Sequence, residues 1–181
     1  PLAYRYRPKT LEEFAGQKNI VGDKGVLKKI LIKSRFMNSI FWGPSGTGKT
    51  TLAEIVAEQL NYYYEYLNAT KASVNDIKEI AEKAKKRFSI EGKQTILFFD
   101  EIHRFNKLQQ DSLLHDIEIG NIILIGATTE NPYFNLNNAL LSRCLMFEFK
   151  KLDKEDIFGI LKRIREKEEI SEKEKDLKKK K

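Results

Sequence analysis

Residues 43–50 read Gly-Pro-Ser-Gly-Thr-Gly-Lys-Thr and lie between two segments of different periodicity. Before them, Ser39-Ile40-Phe41-Trp42 is a short apolar run of the kind that forms a buried strand. After them, Leu52, Ile55, Val56 and Leu60 recur at helical spacing. In that strand–loop–helix context each fixed residue type has a physical purpose. Glycines let the backbone curl until its N–H groups converge on an anion. The helix N-terminus adds partial positive charge at the same point. Lys49 is then placed to reach the β- and γ-phosphates of a nucleotide, and the Thr50 hydroxyl to sit on Mg²⁺. An unliganded glycine-rich turn is the bland alternative. A chance match to all the fixed positions in a chain of this length is roughly half a per cent.

The rest of the chain alternates in the same way. Tyr62 to Leu67, Gln94 to Phe99, Ile122 to Ile125 and Leu145 to Phe149 read as further strands. Lys24 to Arg35, Val74 to Phe88, Lys107 to Glu118 and Leu136 to Leu141 carry apolar residues at helical spacing. Asp153 is placed to cap a last helix through Ile157, Ile160, Leu161 and Ile164. The strands of the middle are apolar throughout, which predicts a five-stranded parallel sheet covered by helices on both faces. Pro1 to Gly22 reads as irregular. After Ile170 the residues are mostly Glu and Lys, with one Leu, so a ragged end is expected. The last helix opens a unit too small to bury its own apolar face. The expected division is therefore a nucleotide-binding core over 1–151 and, over 152–181, the start of a truncated helical lid with a charged tail.

Composition removes several classes. The 181 residues suit one domain or little more. No apolar run approaches the ~18 residues of a membrane span. One cysteine, Cys144, rules out an intramolecular disulfide framework, and two histidines make a dedicated metal cage improbable. The sequence shows no signal peptide, so an intracellular, reducing setting is expected. The net charge is +7, but the last twenty residues hold 10 basic and 6 acidic side chains and supply most of the excess. Such runs are usually solvated faces, and contact with nucleic acid through Lys178 to Lys181 is the weaker reading.

Three further stretches carry chemistry. Ile96 to Phe99 ends in Asp100-Glu101. Alone, this could be a core strand running into a polar turn. Beside a phosphate loop it reads as the second element of a nucleotide site, with Asp100 holding Mg²⁺ through water and Glu101 activating the attacking water. Ile122 to Ala127 ends in Thr128-Thr129-Glu130-Asn131. Parallel sheets bind ligands off their carboxyl ends, so Thr128 could contact the γ-phosphate or the water; a Thr-rich turn is the alternative. Ser142-Arg143-Cys144 offers either a solvated arginine or a finger for transition-state charge. His103 is assigned to orienting the loop after the carboxylates, His115 to the surface, and Cys144 to a small buried hydrophobe.

Together these elements resemble the AAA+ ATPases of the clamp-loader clade. The wording of Asp100-Glu101-Ile102-His103-Arg104-Phe105-Asn106-Lys107 with Gln109-Gln110-Asp111 is similar to the RarA/MgsA family. So are Gly126 to Pro132, Leu140 to Cys144, and the leading residues Arg7-Pro8-Lys9-Thr10-Leu11 and Phe14-Ala15-Gly16-Gln17. The resemblance implies a P-loop NTPase fold with strand order 5-1-4-3-2. It implies ATP or ADP held by Ser45, Gly46, Thr47, Gly48, Lys49, Thr50 and Thr51, with Mg²⁺ on Thr50 and Asp100. Glu101, Lys49, Thr128 as first sensor, and Arg143 acting in a neighbouring subunit would carry catalysis. Arg7, Pro8 and Gln17 would frame the adenine pocket. The implied activity is Mg-ATP hydrolysis in a DNA replication and repair factor at stalled forks, slow in a chain without its full lid. The implied partners are fork or junction DNA, single-strand-binding protein or replisome components, and further copies of the chain. The implied location is cytoplasm and nucleoid in a bacterium, or nucleus in a eukaryote. A non-hydrolysing clamp-loader-like scaffold and a Holliday-junction branch-migration motor are the alternatives. The presence of Lys49, Asp100 and Glu101 argues against the first, and the His103 to Asn106 wording against the second. Two positions depart from the pattern: Ser45 stands where a second Pro is usual, and Ser73 where Gly is.

Overall fold

The computed structural model describes residues 2–33 and 35–179, with side chains over 4–33 and 35–171. Five parallel strands form one sheet: β1 (Ser39–Trp42), β2 (Tyr63–Asn68), β3 (Thr95–Asp100), β4 (Ile123–Thr128) and β5 (Leu145–Glu148). Their order is β2-β3-β4-β1-β5, which is the expected 5-1-4-3-2 read from the other edge. The register sets Trp42 beside Thr128 and Asn68 beside Asp100, so the strands carrying the candidate residues finish on the same edge.

Alternation along the strands feeds two cores. Ile40, Leu97, Phe99 and Leu124 face α5 (Val74–Glu91) and α6 (Lys107–Glu118), packing on Ile77, Ala81, Leu113 and Ile117. Phe41, Ile96, Phe98 and Ile125 face the other way, onto α3 (Val26–Ile32) and α4 (Lys49–Gln59) through Leu27, Leu31, Leu52 and Val56. Removing this apolar surface from water on both faces of the sheet is the main stabilising term.

Helix starts follow local chemistry. Ser73 caps α5 in a reciprocal box with Asp76, its hydroxyl accepting from the Asp76 N–H and its own N–H donating to the Asp76 carboxylate. The departure from Gly at 73 thus supplies a cap. Asn106 and Gln109 form the same box at α6. Asp153 accepts from the Asp156 N–H at 2.7 Å at the start of α9 (Lys154–Lys179).

Several short elements were not legible in the apolar pattern. The leading segment holds α1 (Leu2–Arg5) and α2 (Lys18–Val21), a 3₁₀ turn covers Ile102–Arg104, and α7 (Pro132–Asn135) precedes α8 (Asn138–Leu141). Four-residue helices have too few turns to show a period. The larger correction is at the end of the chain. Where a ragged tail was expected, α9 runs unbroken to Lys179. Glu and Lys are good helix formers, and pairs such as Arg165–Glu169, 3.6 Å apart, support consecutive turns.

Candidate active site

One cleft of about 530 Å³ opens at the carboxyl ends of the strands. Ser45, Gly46, Thr47, Gly48, Lys49, Thr50 and Thr51 line its floor where β1 passes into α4. Asp100, Glu101 and Thr128 enter from β3 and β4. The leading segment contributes Tyr6, Arg7, Pro8, Phe14 and Ala15, and α9 contributes Ile160, Arg163 and Ile164. Residues far apart in sequence thus surround one volume because parallel strands deliver their ends to the same edge.

The loop is shaped for close approach. Gly48 has φ 98°, and a Cβ there would come within 2.7 Å of the Phe14 ring. Gly46 has φ 73° with nothing within 4 Å of the same construction, so its concave side is open. The Thr47 side chain turns inward and donates to the Pro44 carbonyl at 2.8 Å, leaving its backbone to the cleft. Lys49 Nζ donates to the Gly43 and Pro44 carbonyls, each at 2.8 Å. Burial pushes the Lys49 ammonium below the usual lysine range, and the nearby Asp100 and Glu101 carboxylates oppose that shift.

The carboxylates are held differently. Asp100 accepts from the Tyr66 hydroxyl at 3.0 Å and from the Glu101 N–H at 3.0 Å. Glu101 has left-handed backbone, φ 57° and ψ 36°, which throws the chain into the 3₁₀ turn. Thr128 is 2% exposed; its hydroxyl accepts from the Glu130 N–H at 3.0 Å and lies 2.8 Å from His103 Nδ1. The donor set fits a hydrated Mg²⁺ brought with phosphate. Among the described residues no group of three His, Cys, Asp or Glu side chains could cage a metal. A hydroxyl and a carboxylate facing a phosphate loop are what a magnesium ion that keeps most of its waters requires.

Two expected residues lie elsewhere. Gln17 does not line the cleft. Its amide donates to the Thr47 and Lys150 carbonyls at 3.2 and 2.7 Å and accepts from the Lys150 N–H at 2.9 Å. It braces the loop from behind, on the side away from the cleft lining. Arg143 is also outside the cleft lining, paired with Glu118 at 2.5 Å and donating to the Ala139 carbonyl at 2.8 Å. Arg7 and Pro8 do line the cleft, but one Arg7 guanidinium nitrogen donates to both Glu54 carboxylate oxygens, at 2.7 and 2.8 Å.

Sequence reasoning passed over four contributors. Gln110, 1% exposed, donates to the Phe105 and Asn135 carbonyls and accepts from the Asn137 N–H. It ties α6 to the segment that leads to Arg143. Arg163 donates to the Glu13 and Tyr6 carbonyls, fastening α9 over the leading segment. Tyr66 reaches Asp100 from the edge strand, and Phe14 walls the cleft. The run of polar residues at 106–111 was the available signal for Gln110 and the Phe14-Ala15-Gly16-Gln17 wording that for Phe14; nothing local flags Arg163 or Tyr66.

A family model described as "ATPase family associated with various cellular activities (AAA)" matches residues 39–152. The chain belongs to this AAA family of ATPases. Its sequence is 51% identical over 163 residues to the ATPase WRNIP1 of Dictyostelium discoideum, covering 90% of this chain and 18% of that protein. It is 47% and 46% identical over 161 residues to the replication-associated recombination protein A of Haemophilus influenzae and of Escherichia coli K12, covering 89% of this chain and 36% of each relative. The family suggested by the 100–111 wording is thus the one the bacterial relatives carry in their name. The chain spans little more than a third of the bacterial relatives' length. Among solved structures, the Thermotoga maritima RuvB Holliday junction branch migration motor matches with TM-score 0.69 and 30% identity, over 87% of this chain and 53% of that one.

Proposed function

We propose that residues 1–151 are the nucleotide-binding core of a Mg-ATP hydrolase in a DNA replication and repair factor acting at stalled forks, and that 152–181 begin its lid. The observation that carries the reading is the meeting of Lys49, Thr50, Asp100, Glu101 and Thr128 on one cleft above a helix N-terminus. The backbone amides of 45–50 and the Lys49 ammonium would bind the phosphates. Glu101 would take the proton of the attacking water at its carboxylate. Thr128 would orient that water or the γ-phosphate. Mg²⁺, held by Thr50 and through water by Asp100, would neutralise the charge on the phosphate oxygens. The apolar wall of Phe14, Ile160 and Ile164 suits a base, and its share from α9 supports a lid role for that helix. Arg143 would act on the site of an adjoining copy, because it stands outside its own cleft.

Fork or junction DNA, single-strand-binding protein or replisome components, and a homo-oligomer are the proposed partners of the longer protein. The proposed setting is intracellular; among the described residues no helix is long and apolar enough to cross a membrane. The sequence identity near one half to replication-associated recombination proteins favours fork maintenance over branch migration, which rests on a neighbour at 30% identity. The intact Lys49, Asp100 and Glu101 favour hydrolysis over a scaffold role. The test is paired. Lys49→Ala should weaken ADP binding by calorimetry at least tenfold. Glu101→Gln in the full-length protein should bind ATP normally and hydrolyse it at least a hundredfold more slowly. Parental hydrolysis by Glu101→Gln would refute the assignment.

A further inference from the structure

His103 stands between the two groups that the proposed hydrolysis would need to coordinate. Its side chain is 5% exposed, on the 3₁₀ turn immediately after Glu101. Nε2 lies 3.2 Å from Glu101 Oε2 and 3.7 Å from Glu130 Oε1. Nδ1 lies 2.8 Å from Thr128 Oγ1. Both ring nitrogens are therefore engaged, one by the end of β3 and one by the end of β4.

The direction of these bonds is assigned from the donors and acceptors around the ring. Thr128 Oγ1 already accepts from the Glu130 N–H at 3.0 Å, which leaves its hydroxyl proton free to donate to Nδ1. Nδ1 is then the acceptor, and Nε2 carries the ring proton, facing the Glu101 and Glu130 carboxylates at 3.2 and 3.7 Å. The reverse tautomer would turn a bare Nε2 lone pair toward two carboxylates. Hydrogen bonds run from the Glu130 N–H to Thr128 and between Thr128 and His103, and Nε2 then faces Glu101 across 3.2 Å. A carboxylate on left-handed backbone at the mouth of a cleft has many rotamers open to it, and a buried imidazole removes most of them.

We propose that His103 is a positioning residue that fixes the Glu101 carboxylate and couples it to Thr128, through Nε2 on one side and Nδ1 on the other. When the Thr128 hydroxyl donates to a phosphate oxygen instead, His103 loses the donor to Nδ1, and its hold on Glu101 changes with it. The ring thereby makes the readiness of the water-activating group depend on what occupies the phosphate end of the cleft. This rests on the roles proposed above for Glu101 and Thr128.

The experiment uses the full-length protein, with kcat and KM for ATP hydrolysis, calorimetric ADP affinity and thermal stability measured for each variant. His103→Ala should lower kcat about a hundredfold, with KM and ADP affinity within about threefold of the parent. His103→Gln places an amide N–H near the Nε2 position and should return kcat to within about tenfold. His103→Asn reaches only the Nδ1 position and should remain near the alanine level. If His103→Ala fails to fold, the Gln and Asn pair carries the comparison. Equal rates for Gln and Asn, or a kcat within twofold of the parent for His103→Ala, would overturn the role of His103. Glu101→Gln is run alongside. If it alone hydrolyses at the parental rate, the roles of Glu101 and His103 fall together; if it is inactive while the His103 variants are unaffected, only the inference about His103 falls.

Discussion

Replacing Gln17 with Leu tests whether this side chain braces the phosphate loop or touches the base. Gln17 is 6% exposed and makes three hydrogen bonds to backbone, one on Thr47 and two on Lys150. Leucine matches its bulk but has no amide, so two carbonyls and one N–H lose their partner. A buried group left unpaired costs about 1–3 kcal/mol. The Thr47 bond is long at 3.2 Å and both carbonyls retain a second lone pair, so a total of about 3 kcal/mol is expected. For a domain of this size, about 2–4 °C of melting temperature accompanies each kcal/mol, giving a fall of about 6–12 °C. The loop is loosened from behind, so ADP affinity should drop. The ratio of ADP to GDP affinity should not change, because no base contact has been lost. Thermal unfolding and calorimetric titration with both nucleotides read the two effects. A collapse of the ADP preference with melting unchanged would refute the bracing role and restore Gln17 to the adenine pocket.

Full-length Glu101→Gln and Arg143→Ala proteins should each be nearly inactive, since an arginine finger is worth about 10³ to 10⁵ in rate. Mixed so that subunits exchange, they should regain part of the activity, and proven exchange without recovery would exclude action in trans. Burial pushes the Cys144 thiol up to about 12 from 9.0. Alkylation at pH 8 should therefore be about a thousandfold slower in the folded than in the urea-unfolded chain, and a ratio under ten would contradict that burial. The sign for stability follows from the same shift. The folded state keeps a proton that the unfolded chain loses, so this contribution is flat below about pH 9 and declines toward about 12, and Cys144→Ala should remove that slope in pH-dependent unfolding.

The α/β class, the five strands and the residues at their carboxyl ends were legible because each is written in a few neighbouring positions. A period of two or 3.6, a run of glycines and a capping residue act within one turn or one strand. The loop at 43–50 and the Asp100-Glu101 pair are local in the same sense, so Lys49, Thr50, Asp100 and Glu101 could be singled out before any coordinates. The strand order came from resemblance to a family, since apolar strands do not name their neighbours. What the tertiary structure alone decided are contacts between residues far apart in the chain. Gln17 meets Lys150 across 133 positions, and His103 meets Thr128 across 25. The adenine expectation for Gln17 came from resemblance alone, because a polar side chain beside a glycine carries no local sign of whether it will face a ligand or a backbone carbonyl. Its partner is chosen by the packing of β5 against β1, which brings Lys150 to the back of the loop only once the sheet is complete.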